Sequence, residues 1–182
     1  MSIVFNLDWI VLDWIQEHLS SAFLDAVFVF VTHLGDHAVI WILLAIVLLM
    51  NGKTRRAGIR ILAGLLLGFL VGNLAIKNIV RRPRPFEVRG IEPIISPPKD
   101  HSFPSGHTTS SFVSAWTLFR EDKKKGIPAL LLAGCIAFSR LYLFVHFPSD
   151  ILGGILLGYG IARITEFLEK ILLEKPNTKT AR

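Results

Sequence analysis

The stretch at residues 104–107 reads Pro-Ser-Gly-His and combines the features of an anion site with a proton donor. Ser105 is a good helix N-cap, so we expect a helix to begin after it. The first N–H groups of a helix lack internal partners and carry partial positive charge, which favours phosphate. Gly106 leaves room for an anion, and His107 adds a proton donor. Because a capped helix start with a nearby histidine is usually structural, the interpretation depends on what else reaches this point.

Five further polar side chains stand near the ends of apolar segments, and their types suit a phosphate group. They are Lys77, Arg84, Arg140, His146 and Asp150. Arginine presents a planar fork that matches phosphate oxygens, and lysine supplies a point charge. One histidine could attack phosphorus, a second could protonate the leaving oxygen, and an aspartate could orient the attacking ring. These residues therefore predict phosphoryl transfer.

The composition indicates a membrane protein. Of the 182 residues 52% are hydrophobic, and the mean hydropathy is +0.52, which is too apolar for a soluble domain of this size. No polar linker divides the apolar runs, so we expect a single membrane-embedded domain over residues 1–182. The net charge of +6 fits basic flanks at a membrane surface better than nucleic-acid binding.

The apolar pattern predicts an all-α fold, a six-helix transmembrane bundle with an N-terminal interfacial amphipathic helix. The interfacial helix is expected at residues 3–19, where Trp9 and Trp14 are expected to anchor it in the membrane interface. The spans are expected at about 22–34, 38–50, 57–80, 105–119, 127–144 and 149–173, with an active-site loop at 81–104. The first two runs are shorter than the roughly 20 residues of a perpendicular span, so they require a thinned bilayer or shielded polar flanks.

Charge predicts the sidedness of this bundle. The turns at residues 53–56 and 120–125 and the C-terminal tail are basic, and with six spans they lie on one side together with the N-terminus. By the positive-inside rule that side is the cytoplasm. The loop at 81–103 is also basic and argues the other way, but its cations have another use at a phosphate site. The candidate site residues then lie together at the outer face of the plasma membrane.

The motifs in this order resemble the tripartite signature of the type 2 phosphatidic acid phosphatase superfamily. The signature consists of Lys77 followed after six residues by Arg84-Pro85, the stretch at 104–107, and Ser139-Arg140 followed by His146 and Asp150. The six-span layout extends the resemblance over nearly the whole chain. The family also contains vanadium-dependent haloperoxidases, which are soluble and larger and therefore fit this chain less well.

The resemblance implies a metal-independent lipid phosphate phosphatase that needs no cofactor. It implies that the phosphate is bound by Lys77, Arg84, Ser105, the amide of Gly106, and Arg140. His146 would be the nucleophile that forms a phosphohistidine, Asp150 would orient it, and His107 would be the general acid.

Undecaprenyl diphosphate is the first expectation for the substrate, because small bacterial members of the family that look like this chain often recycle that cell-wall lipid carrier. Phosphatidylglycerol phosphate, phosphatidic acid and diacylglycerol diphosphate are alternatives. Lipid tails are bound by apolar grooves without a motif, so the sequence does not separate these substrates, and it leaves the oligomeric state open.

Several alternatives remain for individual residues. A metal-dependent hydrolase could use the side chains of His33, Asp36, His37, Asp100 and His101. A lipid-phosphate binder or transporter would need the cations but not two histidines. The loop arginines Arg81, Arg82 and Arg89 could contact lipid headgroups, or Arg81 or Arg82 could bind a second phosphate. Asp150 could simply cap a helix.

Overall fold

The computed structural model describes residues 3–174, and every regular element within them is a helix, as predicted. The helices are α1 (Ile3–Leu19), α2 (Ala22–Leu34), α3 (Val39–Leu49), α4 (Arg55–Gly68), α5 (Lys77–Val80), α6 (Pro85–Arg89), α7 (Gly106–Glu121), α8 (Lys123–Tyr142) and α9 (Pro148–Glu174). The basic C-terminal tail used in the sidedness prediction lies outside the described residues.

Within residues 3–174, three helical segments are long and apolar enough to cross a membrane. They are Arg55–Arg89, Lys123–Tyr142 and Pro148–Leu172. A fourth candidate is the pair Ala22–Leu34 and Asp36–Leu49, which is bent by 44° at its break. The predicted count of six spans is therefore not confirmed, because α2 and α3 have only 13 and 11 residues and α7 has 16.

The long segment that begins with α4 changes its winding before it reaches the candidate site. It continues from α4 as a π-helix over Phe69–Ile76 and then as α5, which begins with Lys77. Such wide turns are rare and frequently occur at functional sites. The prediction of one apolar helix over residues 57–80 did not include this change.

Helix α7 packs against α4, α8 and α9, and glycines on α9 allow a close approach. A Cβ added to Gly154 would lie 2.9 Å from the carbonyl oxygen of Ser105, and one added to Gly158 would lie 2.9 Å from that of Thr109. The N–H of Ser105 also donates to the carbonyl oxygen of Asp150 at 3.2 Å. The start of α7 is thereby held against the start of α9.

Helix α1 covers the loop between α8 and α9. Leu12 and Ile15 are buried in a cluster with the residues of that loop, while Leu7, Ile10 and Trp14 face outward. The prediction that Trp9 anchors the helix in the interface is wrong, because its ring packs inward, edge-on to Phe147 with ring centroids 5.1 Å apart. The ring of Trp9 therefore contacts aromatic side chains of the loop and not lipid.

Candidate active site

The three predicted motifs meet at one cavity of about 980 Å³. Six of the eight predicted site residues line it, namely Lys77, Arg84, Gly106, His107, Arg140 and His146. The other two, Ser105 and Asp150, are fully buried just behind its wall. The Oγ of Ser105 caps α7 and accepts from the N–H of Thr108 at 3.4 Å and from its hydroxyl at 2.9 Å.

His146 lies in the loop between α8 and α9 and is only 1% exposed. The loop wraps around the end of α8, where the N–H groups of Val145 and His146 both donate to the carbonyl oxygen of Arg140. Nε2 of His146 lies 3.1 Å from Nη1 of Arg84. Since arginine can only donate, Nε2 accepts and the ring proton is on Nδ1.

The protonation state of His146 follows from its surroundings. Burial, and then the charges of Arg84 and Arg140, lower the pKa of His146 well below its ordinary value. The ring is therefore neutral, and the lone pair of Nε2 faces the group that would bind phosphate. Nδ1 lies 3.4 Å from Oδ2 of Asp150 and is also within hydrogen-bonding distance, at 3.4 Å, of the hydroxyl of Ser102, which donates to the same carboxylate oxygen. Such a carboxylate can orient the ring of a histidine nucleophile.

Asp150 is held from three sides. Its Oδ2 accepts from the hydroxyl of Ser102 at 2.5 Å and from the N–H of Phe147 at 2.8 Å. Its Oδ1 accepts from Nη1 of Arg82 at 2.7 Å. The bond to Phe147 is the local role expected at a helix start, whereas the bonds to Ser102 and Arg82 fix the carboxylate beside His146.

Arg82 is a partner of this aspartate and not a free cation. Its side chain is 18% exposed, and it donates to Ser149 and to Asp8 as well as to Asp150. The guanidinium also lies 4.0 Å from the centre of the Phe147 ring. The alternatives in which Arg82 contacts headgroups or binds a second phosphate are therefore not supported. By contrast, Arg81 and Arg89 remain exposed.

Three buried cations surround the cavity, and a carboxylate already engages two of them. Nζ of Lys77 donates to Oδ2 of Asp100 at 2.5 Å, and Nη2 of Arg84 donates to Oδ1 at 2.6 Å. The Asp100 side chain is 50% exposed. Burial raises the pKa of Asp100, but the hydrogen bond and charge of Lys77 and the charge of Arg84 outweigh this effect. The pKa of Asp100 is therefore lowered to about 2. Asp100 thus presents two anionic oxygens to these cations.

The third cation has an unused donor. Arg140 donates through Nη1 to the hydroxyl of Thr32 at 2.5 Å. Its Nε is buried and has no hydrogen-bond partner among the residues that the structure describes. Because an unpaired buried donor is costly, Arg140 is ready to bind an anion that enters the cavity.

The second histidine is paired with a residue that was predicted in a different role. Nε2 of His107 lies 2.9 Å from Oδ1 of Asp36, and Oδ2 of Asp36 lies 2.7 Å from Nδ1 of His33. The sequence placed Asp36 in a candidate metal cluster. Between residues 3 and 174, no three His, Cys, Asp or Glu side chains are grouped so that they could hold a metal ion.

Asn73 is a cavity residue that sequence reasoning missed. A Cβ added to Gly106 would lie 3.1 Å from Nδ2 of Asn73, so the space left by this glycine is filled by an amide. The detectable signal was a lone amide in an apolar run, which is typical of a functional position. Ser102, which donates to Asp150, was also missed, although it lies only two positions before the stretch at 104–107. Asp100 was predicted only as a candidate metal ligand, not as the partner of Lys77 and Arg84.

The cavity has an apolar extension that suits a lipid tail. Its wall includes side chains of α3, α4 and the π-helix, namely Ile42, Leu62, Leu65, Leu66 and Phe69. Leu66 and Phe69 are also exposed on the outer surface of the bundle. The polar site is therefore continuous with an apolar surface, as expected for a substrate with a charged head and a hydrocarbon tail.

Comparison with known proteins finds one matching family model and several related phosphatases. The family model of the PAP2 superfamily matches residues 57–168. The chain is 32% identical over 156 residues to the undecaprenyl-diphosphatase BcrC of Bacillus subtilis, covering 81% of this chain and 78% of that protein. It is 33% identical over 137 residues to a decaprenylphosphoryl-5-phosphoribose phosphatase of Mycobacterium tuberculosis, covering 74% and 75%.

Two solved structures share the fold. The PAP2 type phosphatidylglycerolphosphate phosphatase of Bacillus subtilis superposes with a TM-score of 0.78 at 23% identity, covering 97% of this chain and 90% of the other. LpxE of Aquifex aeolicus superposes with a TM-score of 0.74 at 27% identity, covering 92% and 99%.

Proposed function

Since the chain belongs to the PAP2 superfamily and is a membrane lipid phosphate phosphatase, we propose that it hydrolyses undecaprenyl diphosphate to undecaprenyl phosphate and phosphate. The observation that carries the proposal is the position of the neutral Nε2 of His146 among three buried cations, in a cavity that a second histidine also lines. A binder of lipid phosphate would need these cations but neither histidine.

In the first step, the terminal phosphate binds to Lys77, Arg84, Arg140 and the N–H of Gly106. Arg84 then donates to a phosphate oxygen instead of to Nε2 of His146. The freed Nε2 attacks phosphorus, a P–N bond forms, and the P–O bond to the leaving group breaks as His107 gives that oxygen a proton. Asp150 stabilises the positive charge that develops on the His146 ring.

In the second step, water attacks the phosphohistidine. His107, now neutral, takes a proton from the water, and the P–N bond breaks to release phosphate and restore His146. The cations stabilise the transferring phosphoryl group in both steps. Ser105 contributes to phosphate binding indirectly, because its N-cap bonds fix the first N–H groups of α7.

We further propose that residues 1–182 form one membrane domain, with α1 in the outer interface beside the loop that it covers rather than on the cytoplasmic side expected from six spans. The outward-facing Leu7, Ile10 and Trp14 support that position of α1. The basic starts of α4 and α8 lie at the end of each helix opposite the site, which supports a cytoplasmic location for them and an outer location for the site.

Phosphatidylglycerol phosphate and phosphatidic acid are the alternative substrates. They are phosphate monoesters, and the fold shared with a phosphatidylglycerolphosphate phosphatase keeps them in consideration. The leaving group of a diphosphate is a phosphate, which leaves more readily than the alkoxide of a monoester. Hydrolysis of the monoesters therefore depends more strongly on proton donation by His107.

The test is phosphate release by the purified full chain from undecaprenyl diphosphate, phosphatidylglycerol phosphate and phosphatidic acid at matched concentrations in one detergent. We expect the highest kcat/KM for undecaprenyl diphosphate and no release by His146→Ala. A preference for either monoester would replace the proposed substrate, and no release from any of the three would refute the phosphatase function.

A further inference from the structure

Asp36 lines the same cavity as the nucleophile His146, in a short turn that none of the three motifs includes. The turn is a 3₁₀-helix over Asp36–Ala38 that joins α2 to α3. Each carboxylate oxygen of Asp36 contacts a different histidine. Oδ1 lies 2.9 Å from Nε2 of His107, and Oδ2 lies 2.7 Å from Nδ1 of His33. His107 and Asp36 are 71 positions apart in the chain.

The local backbone is shaped to bring this carboxylate to His107. A Cβ on Gly35 would lie 2.7 Å from Cδ2 of His107 and 2.9 Å from Cγ2 of Ile136, so only glycine lets the imidazole lie against the turn. The next residues, His37 and Ala38, have φ values of 49° and 57°. Non-glycine residues seldom adopt this conformation, and it concentrates at functional sites.

The pairing determines which nitrogen of His107 faces the substrate. An ionised carboxylate can only accept, so Nε2 carries a proton toward Asp36. Nδ1 has no hydrogen-bond partner among residues 3–174, and His107 lines the cavity, so Nδ1 is the nitrogen available to a bound substrate. Burial disfavours the charged imidazolium of His107, and the carboxylate of Asp36 opposes that effect, which helps the ring to hold the proton that a general acid must give.

We propose that Asp36 is the positioning residue of His107 and holds Nδ1 of the general acid toward the leaving oxygen. The site then contains two histidine–aspartate pairs, His146 with Asp150 for attack and His107 with Asp36 for proton transfer. This inference rests on the proposed phosphatase function. In a purely structural alternative, Asp36 only ties the turn to His33.

The positioning role and the purely structural role of Asp36 predict different losses of activity for substrates with different leaving groups. If Asp36 acts through His107, Asp36→Asn lowers kcat on phosphatidic acid, whose alkoxide leaves poorly, by roughly 10- to 100-fold. On p-nitrophenyl phosphate, whose leaving group needs no proton, the loss is smaller by at least about tenfold. Asp36→Glu keeps the charge and restores part of the activity on phosphatidic acid. Asp13→Asn, at an exposed carboxylate of α1 paired with Arg89, is the matched control.

A double-mutant cycle completes the test. In a His107→Ala background, Asp36→Asn should cause no further loss on phosphatidic acid, because its partner is already gone. An equal loss on both substrates, or additive losses in the double mutant, would overturn the assignment of Asp36 while leaving the phosphatase function intact. Wild-type protein that releases phosphate neither from these two substrates nor from undecaprenyl diphosphate would instead refute the proposed function, and this inference with it.

Discussion

Arg84 and Asp100 are joined twice, through Nη2 to Oδ1 at 2.6 Å and through Nε to the Asp100 carbonyl oxygen at 2.8 Å. Lys77 holds the other carboxylate oxygen at 2.5 Å. Two cations assigned to the substrate therefore share one carboxylate of the protein. A phosphate that binds to Lys77 and Arg84 must compete with this half-exposed carboxylate.

We predict that Asp100→Asn strengthens inhibition by inorganic phosphate. Removing the competing anion should lower the inhibition constant by roughly tenfold, or about 1.4 kcal/mol. Glu92→Gln changes an exposed carboxylate in the same loop and is the control. Weaker inhibition would show instead that Asp100 is needed to hold the two cations in place.

The pKa of Asp100 sets the pH range of this effect. Because Lys77 and Arg84 lower that pKa to about 2, the carboxylate stays charged in the resting site throughout the assay range. The difference between variant and wild type should therefore persist from about pH 5 to 8. The contribution of these ion pairs to folding is complete above the ordinary aspartate pKa of about 3.9 and is lost as the pH falls toward 2.

The two histidines should respond differently to the leaving group. His146→Ala removes the nucleophile and should be inactive on lipid and aryl phosphates alike. His107→Ala should lose roughly 10²–10⁴-fold on an alkyl phosphate but much less on p-nitrophenyl phosphate. Acid-labile, base-stable phosphoprotein should be trapped in the wild type and be absent from His146→Ala. Equal losses on every leaving group would contradict the division of roles.

Arg82 should affect the rate without affecting binding. Arg82→Gln removes the partner of Oδ1 of Asp150 and should lower kcat by roughly 10- to 100-fold while KM changes little. Arg89→Gln is the matched control, because Arg89 pairs with Asp13 at the surface and such pairs contribute little. A large rise in KM for diphosphates alone would point back to the second-phosphate alternative.

Metal chelation should leave the activity intact. Fixed cations already neutralise the phosphate charge, so release of phosphate is expected to continue in excess EDTA. Orthovanadate should inhibit, because five-coordinate vanadate resembles the transition state. Loss of activity in EDTA with rescue by a divalent ion would favour the metal-dependent alternative.

Thiol labelling in intact cells can test the sidedness. Cys135 is the single cysteine and is exposed, so the experiment starts from Cys135→Ser. In that background Lys99→Cys, in the loop that carries Asp100, should react with an impermeant thiol reagent, whereas Lys124→Cys, at the start of α8, should not. The reverse labelling would place the site in the cytoplasm.

The residues of the three motifs could be predicted because their chemistry is local to each motif. Ser105 caps a helix wherever a helix follows it, and the spacing from Arg140 to Asp150 places His146 and Asp150 around one turn. The spans were harder to predict, because α2 and α3 are long and apolar enough to cross a membrane only when taken together, and that pair is bent by 44°. Trp9 was misplaced for a related reason, since an amphipathic pattern does not reveal what covers each face.

The sequence by itself determined the helical membrane class and the histidines and cations of the site, because hydropathy, helix capping and side-chain chemistry depend on residue type and short spacing. The tertiary structure decided the partner of each of these groups. Asp36 meets His107 across 71 positions, and Arg82 meets Asp8 across 74. Such bonds exist only after α1, α2 and α7 have packed, because helix packing rather than chain distance brings their donors and acceptors within hydrogen-bonding range.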